Sequence, residues 1–270
     1  MNFQYDKMTR LVEQNDFSML NPVHINLSGF KALFTTQTFE DIKILRECCG
    51  AAGFIRFGGF WKLHDTAAPN VTLEGDSIVM SLQTARALLK TGRKALVKDK
   101  KISKTLGYIE DLKRIKEFDF TTATPDFFDK EENLLELIKV NALLSIYNCS
   151  MLFNKDDRHK ESLWEKFNQK YQLEIVKMTR DHTYFMAALY FWNGASKLPF
   201  SMDRQAKEHC RTLFKIWAQN TLVQHCNELI EASVITPEQL NIIHENHLQD
   251  VRLLRPQFLP IVESAQISDD

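Results

Sequence analysis

Residues Phe54 to Leu63 read FIRFGGFWKL, and the fold class turns on how this stretch is read. Two aromatic-rich runs, Phe54-Ile55-Arg56-Phe57 and Phe60-Trp61-Lys62-Leu63, flank the pair Gly58-Gly59. A Gly-Gly pair offers positive φ at both central positions of a type I′ turn, whose twist suits two antiparallel strands. The pattern predicts a β-hairpin with Phe57 opposite Phe60 and Arg56 opposite Trp61. Apolar side chains then fall on both faces, so the hairpin is covered on both sides or keeps one face for a partner.

Working outward, Val23, Ile25 and Leu27 alternate with His24, Asn26 and Ser28, the period-two signature of a half-buried strand. Thr38 with Asp41 three residues on predicts a helix start, and Gly50 its end. Val71-Thr72-Leu73 and Ile78-Val79-Met80 read as further short strands. Ser81 reads as the cap of a helix through Leu89, and a second helix is predicted over Leu106 to Ile115. From Lys130 the character changes. Leu134, Ile138, Ala142 and Ile146 form one stripe, and Leu137, Val140 and Leu144 another, as in a helix buried on most of its circumference. Arg204 to Ala232 reads as one long helix. Thr236-Pro237-Glu238-Gln239 starts the next, with Thr as N-cap, Pro at N1 and Gln at N3. The expected fold class is α+β, helix-dominated. A mixed α/β domain over 1–117 carries the aromatic hairpin, a boundary follows at 118–129, an α-helical domain covers 130–262, and 263–270 is a polar tail.

Across 270 residues, 44% hydrophobic and 26% charged content fits a folded globular chain. The net charge of -1 excludes a globally basic nucleic-acid binder. No apolar window is long enough to predict a membrane span. Five cysteines show no CxxC or framework spacing, which predicts free thiols and a cytoplasmic protein. Phosphate-loop, Rossmann, kinase and nucleophile-elbow patterns are absent, so no cofactor is expected. His244, His247 and Asp250 share a spacing that gathers ligands, but no fourth ligand accompanies them, and no metal site is expected.

Local charge is less even. Arg86 to Lys116 holds eleven Lys or Arg against three acids, and Glu117 to Glu136 holds seven acids against Lys130 alone. Arg93, Lys94, Lys98, Lys100, Lys101 and Lys104 are the candidate contacts to nucleic acid or to an acidic protein partner, through phosphate or carboxylate pairing. A solvated face neutralised by its acidic neighbour is the plainer use of the same residues. The aromatic hairpin could stack bases, although it lacks the residue order of the ribonucleoprotein motif, and core packing explains it more simply.

Arg204-Gln-Ala-Lys-Glu-His209 resembles the Arg-x4-6-His spacing of the HEPN ribonucleases, which are helical bundles. The resemblance implies metal-independent RNA cleavage, with His209 moving protons and Arg204 holding phosphate. Side chains five apart lie about 140° apart around a helix, so the pair shares a site only if Arg204 stands at the helix entrance. With no complete catalytic motif, the leading expectation is a non-enzymatic interaction or adaptor subunit of a cytosolic assembly that binds protein and can include nucleic acid. The ribonuclease is the alternative.

Overall fold

The computed structural model describes residues 2–97, 102, 104–155, 162–199 and 201–264. All regular structure among them is helical. The chain runs through α1 (Asn2–Glu13), α2 (Leu20–Cys48), α3 (Gly50–Phe54), α4 (Phe60–Thr72) and α5 (Ser77–Val97). A 3-10 segment (Lys104–Glu117) and a short one (Pro125–Asp129) lead to α6 (Glu131–Lys155), α7 (Leu163–Glu165) and α8 (Gln172–Ser196). The remainder is α9 (Arg204–His225), α10 (Asn227–Glu231), α11 (Pro237–Leu254) and α12 (Phe258–Glu263).

The expected α+β class is therefore wrong: no strand occurs among the described residues. At the decisive stretch only Gly59 has positive φ, at 70°, while Gly58 closes a 3-10 turn, Arg56–Gly58. A type I′ turn needs both. Gly58 is required for a different reason, because a Cβ there would lie 2.5 Å from the Ala52 carbonyl oxygen. The glycine pair turns the corner from α3 into α4. Phe57 is fully exposed and Phe54 79% exposed, so they form no cross-strand pair.

Residues 23–28 fail as a strand for a related reason. In α2 the buried face is Val23, Ile25, Asn26, Ser28, Gly29 and Ala32, so small polar residues lie inside. A Cβ at Gly29 would come within 2.6 Å of the Thr183 hydroxyl, and Thr84 donates from its hydroxyl to the Ile25 carbonyl at 2.9 Å. Close helix approach explains the polar positions that alternation assigns to solvent. Thr38 lies within α2, not at a start. Residues 71–73 end α4, and 78–80 begin α5, where the Asp76 carboxylate accepts the amides of Ile78 and Val79 at 2.8 and 3.0 Å.

Two compact units result, Met1–Lys113 with Ser145–Thr183, and Arg114–Leu144 with Tyr184–Asp270. In the first, α2 packs on α4 and α5. In the second, α9 packs on α11, which begins at Thr236 with the predicted capping box. The predicted 204–232 helix is broken at Cys226. Leu106, Ile109, Leu112 and Ile115 are buried at a strict spacing of three. That spacing matches a 3-10 turn, which explains a run of this type longer than usual.

Candidate functional site

Between α4 and α5 the chain makes a turn with two successive left-handed residues. Leu73 is extended (φ -60°, ψ 143°), and the next two residues are left-handed, Glu74 at φ 58° and Gly75 at φ 97°. Left-handed backbone is natural for glycine; a glutamate there costs on the order of 1 kcal/mol and persists only if its surroundings hold it. The end of the Met80 side chain lies over Gly75, 2.4 Å from where a Cβ would stand. Across the turn stands Lys31 of α2. Its ammonium donates to the Val71 carbonyl at 3.2 Å and, at shorter range, to the Gly75 carbonyl. The Thr36 and Ser77 hydroxyls, 2.8 Å apart, tie α2 to the start of α5.

The turn borders a groove of about 510 Å³ lined by Lys31, Phe34, Thr35, Thr38, Ala67, Asn70, Leu73 and Glu74. Among the described residues that line it, Glu74 is the only acid and is exposed. No donor among the described residues reaches its carboxylate. Lys31 is the only cation among them, and its ammonium donates to two backbone carbonyls. An unpaired carboxylate beside apolar walls of Phe34 and Leu73 is equipped to accept a proton from a bound molecule.

The second unit holds a larger groove, about 820 Å³, and both Arg204 and His209 line it. Arg204 is the first residue of α9, so the entrance position that lets the two share a site is met. The Asp203 carboxylate, however, already caps that helix through the amides of Gln205 and Ala206. Several of the other charges are paired: Arg211 with Glu131 at 3.0 Å, and Lys215 with both Asp129 and Asp250. Partial burial alone would lower the Lys215 pKa, but hydrogen bonds to Asp129 and Asp250 outweigh it and hold the ammonium above the usual lysine value.

Of the basic stretch, Lys94 is exposed, and Arg93 is half-buried with its Nε lacking a partner among the described residues. Lys104 opens the 3-10 segment. Lys98, Lys100 and Lys101 lie outside the described residues. Among the described residues no group of three metal-ligating side chains comes together. Sequence reasoning missed Glu74 and Lys31. The available signal was Glu74-Gly75-Asp76, an acid and a glycine in front of a helix-capping aspartate, which was absorbed into the space between two expected strands.

Residues 1–89 match the family described as acyl-CoA oxidase, C-alpha1 domain, and residues 130–270 match the acyl-CoA oxidase family. The chain is similar to peroxisomal acyl-coenzyme A oxidase 1 of Rattus norvegicus, 25% identical over 273 residues that cover 100% of this chain and 40% of the relative. A putative peroxisomal acyl-coenzyme A oxidase 1.2 of Arabidopsis thaliana is 23% identical, with 100% and 39% covered. Among solved structures, Arabidopsis thaliana acyl-CoA oxidase 1 superimposes with a TM-score of 0.90 at 23% identity, over 99% of this chain and 40% of that one. Caenorhabditis elegans acyl-CoA oxidase-2, bound with FAD, ascaroside-CoA and ATP, gives 0.88 at 23% identity, over 99% and 38%.

These matches overturn the adaptor reading, the ribonuclease built on Arg204 and His209, and the nucleic-acid role. They also overturn the cytoplasmic placement, since these curated relatives are named peroxisomal. The missing motifs misled because the groove assembles its groups from separate helices and a turn rather than from one run. The cysteine argument speaks against an oxidising compartment and chooses none among the others. The chain spans about two fifths of the length of the curated relatives it matches, and by a family match over residues 130–270, more than half of its length, it belongs to the acyl-CoA oxidase family.

Proposed function

We propose that the chain supplies the helical, base-bearing portion of a peroxisomal flavoenzyme that desaturates acyl-CoA thioesters, with Glu74 as the base. The observation that carries this reading is a strained, left-handed glutamate, the only acid among the described residues that line a partly apolar groove. Desaturation of a thioester removes a proton from the carbon next to the carbonyl and a hydride from the carbon beyond it. Glu74 is placed to take the proton, and Phe34 and Leu73 offer apolar contact to the acyl chain.

The groove fits one end of FAD and not the other. Phe34 and Leu73 offer apolar contact to a flat ring, and the Thr38 hydroxyl and Asn70 side-chain carbonyl can bond its polar edge. The diphosphate does not fit here, because Lys31, the only cation among the described lining residues, is committed to two carbonyls. Bound FAD would supply the acceptor for the hydride. The relatives bound with FAD support the cofactor class.

The test follows the proton. The protein carrying this chain, with FAD and a saturated acyl-CoA in D2O, should exchange the thioester's α-protons and consume oxygen. Glu74→Gln should lose the exchange and slow turnover by at least about 10²-fold. Wild-type exchange rates in Glu74→Gln would rule out the base. Imaging of the tagged protein should show it with a peroxisomal marker; a diffuse cytosolic signal would rule out the location.

A further inference from the structure

We infer that Lys31 is the positioning residue of this site: its ammonium grips the chain on either side of Glu74 and holds the glutamate in its left-handed conformation. The inference rests on the reading of Glu74 as base and adds the part that aims it.

A strained residue stays strained only where other interactions over-determine its backbone. The nearby contacts can be sorted by what they fix. Asp76 caps α5 through Ile78 and Val79, and Thr36 bonds Ser77. Both fix where α5 starts; neither touches the backbone between Val71 and Gly75. The Leu73 amide closes α4 onto the Pro69 carbonyl, which sets where α4 stops. The bonds that bracket Glu74 come from Lys31, to Val71 before it and to Gly75, the second left-handed residue, after it. The Val71 carbonyl is one of the last carbonyls of α4, which have no helical partner and attract cations. Bonds from an ammonium are stronger than those between neutral groups.

Lys31 is itself well anchored. It sits inside α2 beside buried Ala32 and Gly29, on the helix that packs against both α4 and α5. A side chain fixed to that helix can therefore hold the end of one neighbour and the approach to the other. Its charge is spent on backbone, so its role is distinct from binding a phosphate or carboxylate of a ligand.

The experiment compares wild type with Lys31→Met, which keeps the aliphatic stem and removes the donors, and Lys31→Arg, which restores them. Lys43→Met, an exposed change in the same helix, is the control. Amide hydrogen exchange across residues 72–77 is read without cofactor or substrate. Lys31→Met should lose protection there while α9 and α11 keep theirs, and Lys31→Arg should recover it. In the protein carrying this chain, with FAD and acyl-CoA, Lys31→Met should lower kcat on the order of 100-fold with little change in KM, as expected for a misaimed group. Unchanged protection at 72–77 in Lys31→Met would overturn the inference, as would a kcat equal to that of Lys43→Met. If Lys31→Met does not fold, Lys31→Gln is read by the same criteria. Glu74→Gln separates the two readings. Its retention of α-proton exchange removes the base, whereas the protection of residues 72–77 still decides whether Lys31 holds the turn.

Discussion

Glu74 and Gly75 occupy the same left-handed region, but only one of them belongs there on steric grounds. Replacing Glu74 with Gly relieves the Cβ strain, so Glu74→Gly should raise the urea-unfolding free energy by about 1 kcal/mol while abolishing α-proton exchange. A destabilised Glu74→Gly would show that the turn is not strained. Gly75→Ala should go the other way, losing at least about 1 kcal/mol, since φ is 97° and a Cβ is strained there. Neither residue was legible as functional, because one sequence carries no φ angles and a glutamate before a glycine is common. A second residue-scale consequence is acid sensitivity. His182 is 1% exposed, and its Nδ1 meets the Tyr108 hydroxyl at 2.6 Å. Burial holds His182 down to about 3 from an unfolded value of 6.5 and pushes Tyr108 well above the usual tyrosine range, so both groups are neutral in the fold. Below pH 6.5 the unfolded chain binds a proton that the folded chain refuses. Stability present above pH 6.5 is therefore lost as pH falls toward 3, by roughly 1.4 kcal/mol per unit. Urea unfolding at pH 7 and pH 5 should show a loss about 2 kcal/mol smaller in His182→Gln than in wild type. Equal losses would mean that the imidazole titrates normally in the fold.

At the scale of elements, the sequence was read correctly where a local device ends a helix and wrongly where tertiary approach sets the pattern. Thr236 and Gln239 satisfy each other within one turn, so the start of α11 depends on nothing distant. The same holds for the long apolar stripes of α6. In α2, by contrast, the small residue Gly29 serves close contact with groups far along the chain, Thr183 and Thr84, while Gly58 lies against the Ala52 carbonyl of the preceding turn. Period-two alternation and a Gly-Gly pair mimic strand chemistry there, and no window of ten residues can reveal the neighbour that makes them helical. Gln239 shows how one side chain links both kinds of order. Besides closing its cap, its amide nitrogen donates to the carbonyls of Phe120, Thr121 and Ala123 at 2.9, 3.1 and 3.3 Å, while the Phe120 amide bonds Val234. The predicted boundary at 118–129 is thus strapped onto α11. Gln239→Ala should cost about 1–3 kcal/mol, because three carbonyls lose their donor. It should also make residues 118–124 the first site of limited proteolysis, where wild type resists. Equal cleavage patterns would show that the strap is held by Phe128 packing alone.

At the scale of the molecule, the division at 118–129 stands as a proposal, and the chain's two compact units draw on residues from both sides of it. The aromatic stretch that opened the sequence reading returns here in a different form. Phe54, Ile55, Phe57 and Trp61 are 79%, 53%, 100% and 47% exposed around one turn. Large apolar groups exposed together mark a surface that is covered in use, because at about 25 cal/mol per Å² even one such side chain favours burial. We therefore propose that the expected protein partner surface is this turn, rather than the basic stretch from Arg86 to Lys116. The 270 residues on their own should self-associate at micromolar concentration in sedimentation velocity. Phe57→Asp should return them to monomer, with helical content by circular dichroism unchanged, because a wholly exposed side chain contributes no packing to the fold. The salt dependence discriminates between the two surfaces: association through the aromatic turn persists or strengthens from 0.05 to about 0.5 M salt, while association through the basic stretch weakens steeply. A monomeric wild type, or a Phe57→Asp variant that associates as strongly as wild type, would remove this turn as the partner surface.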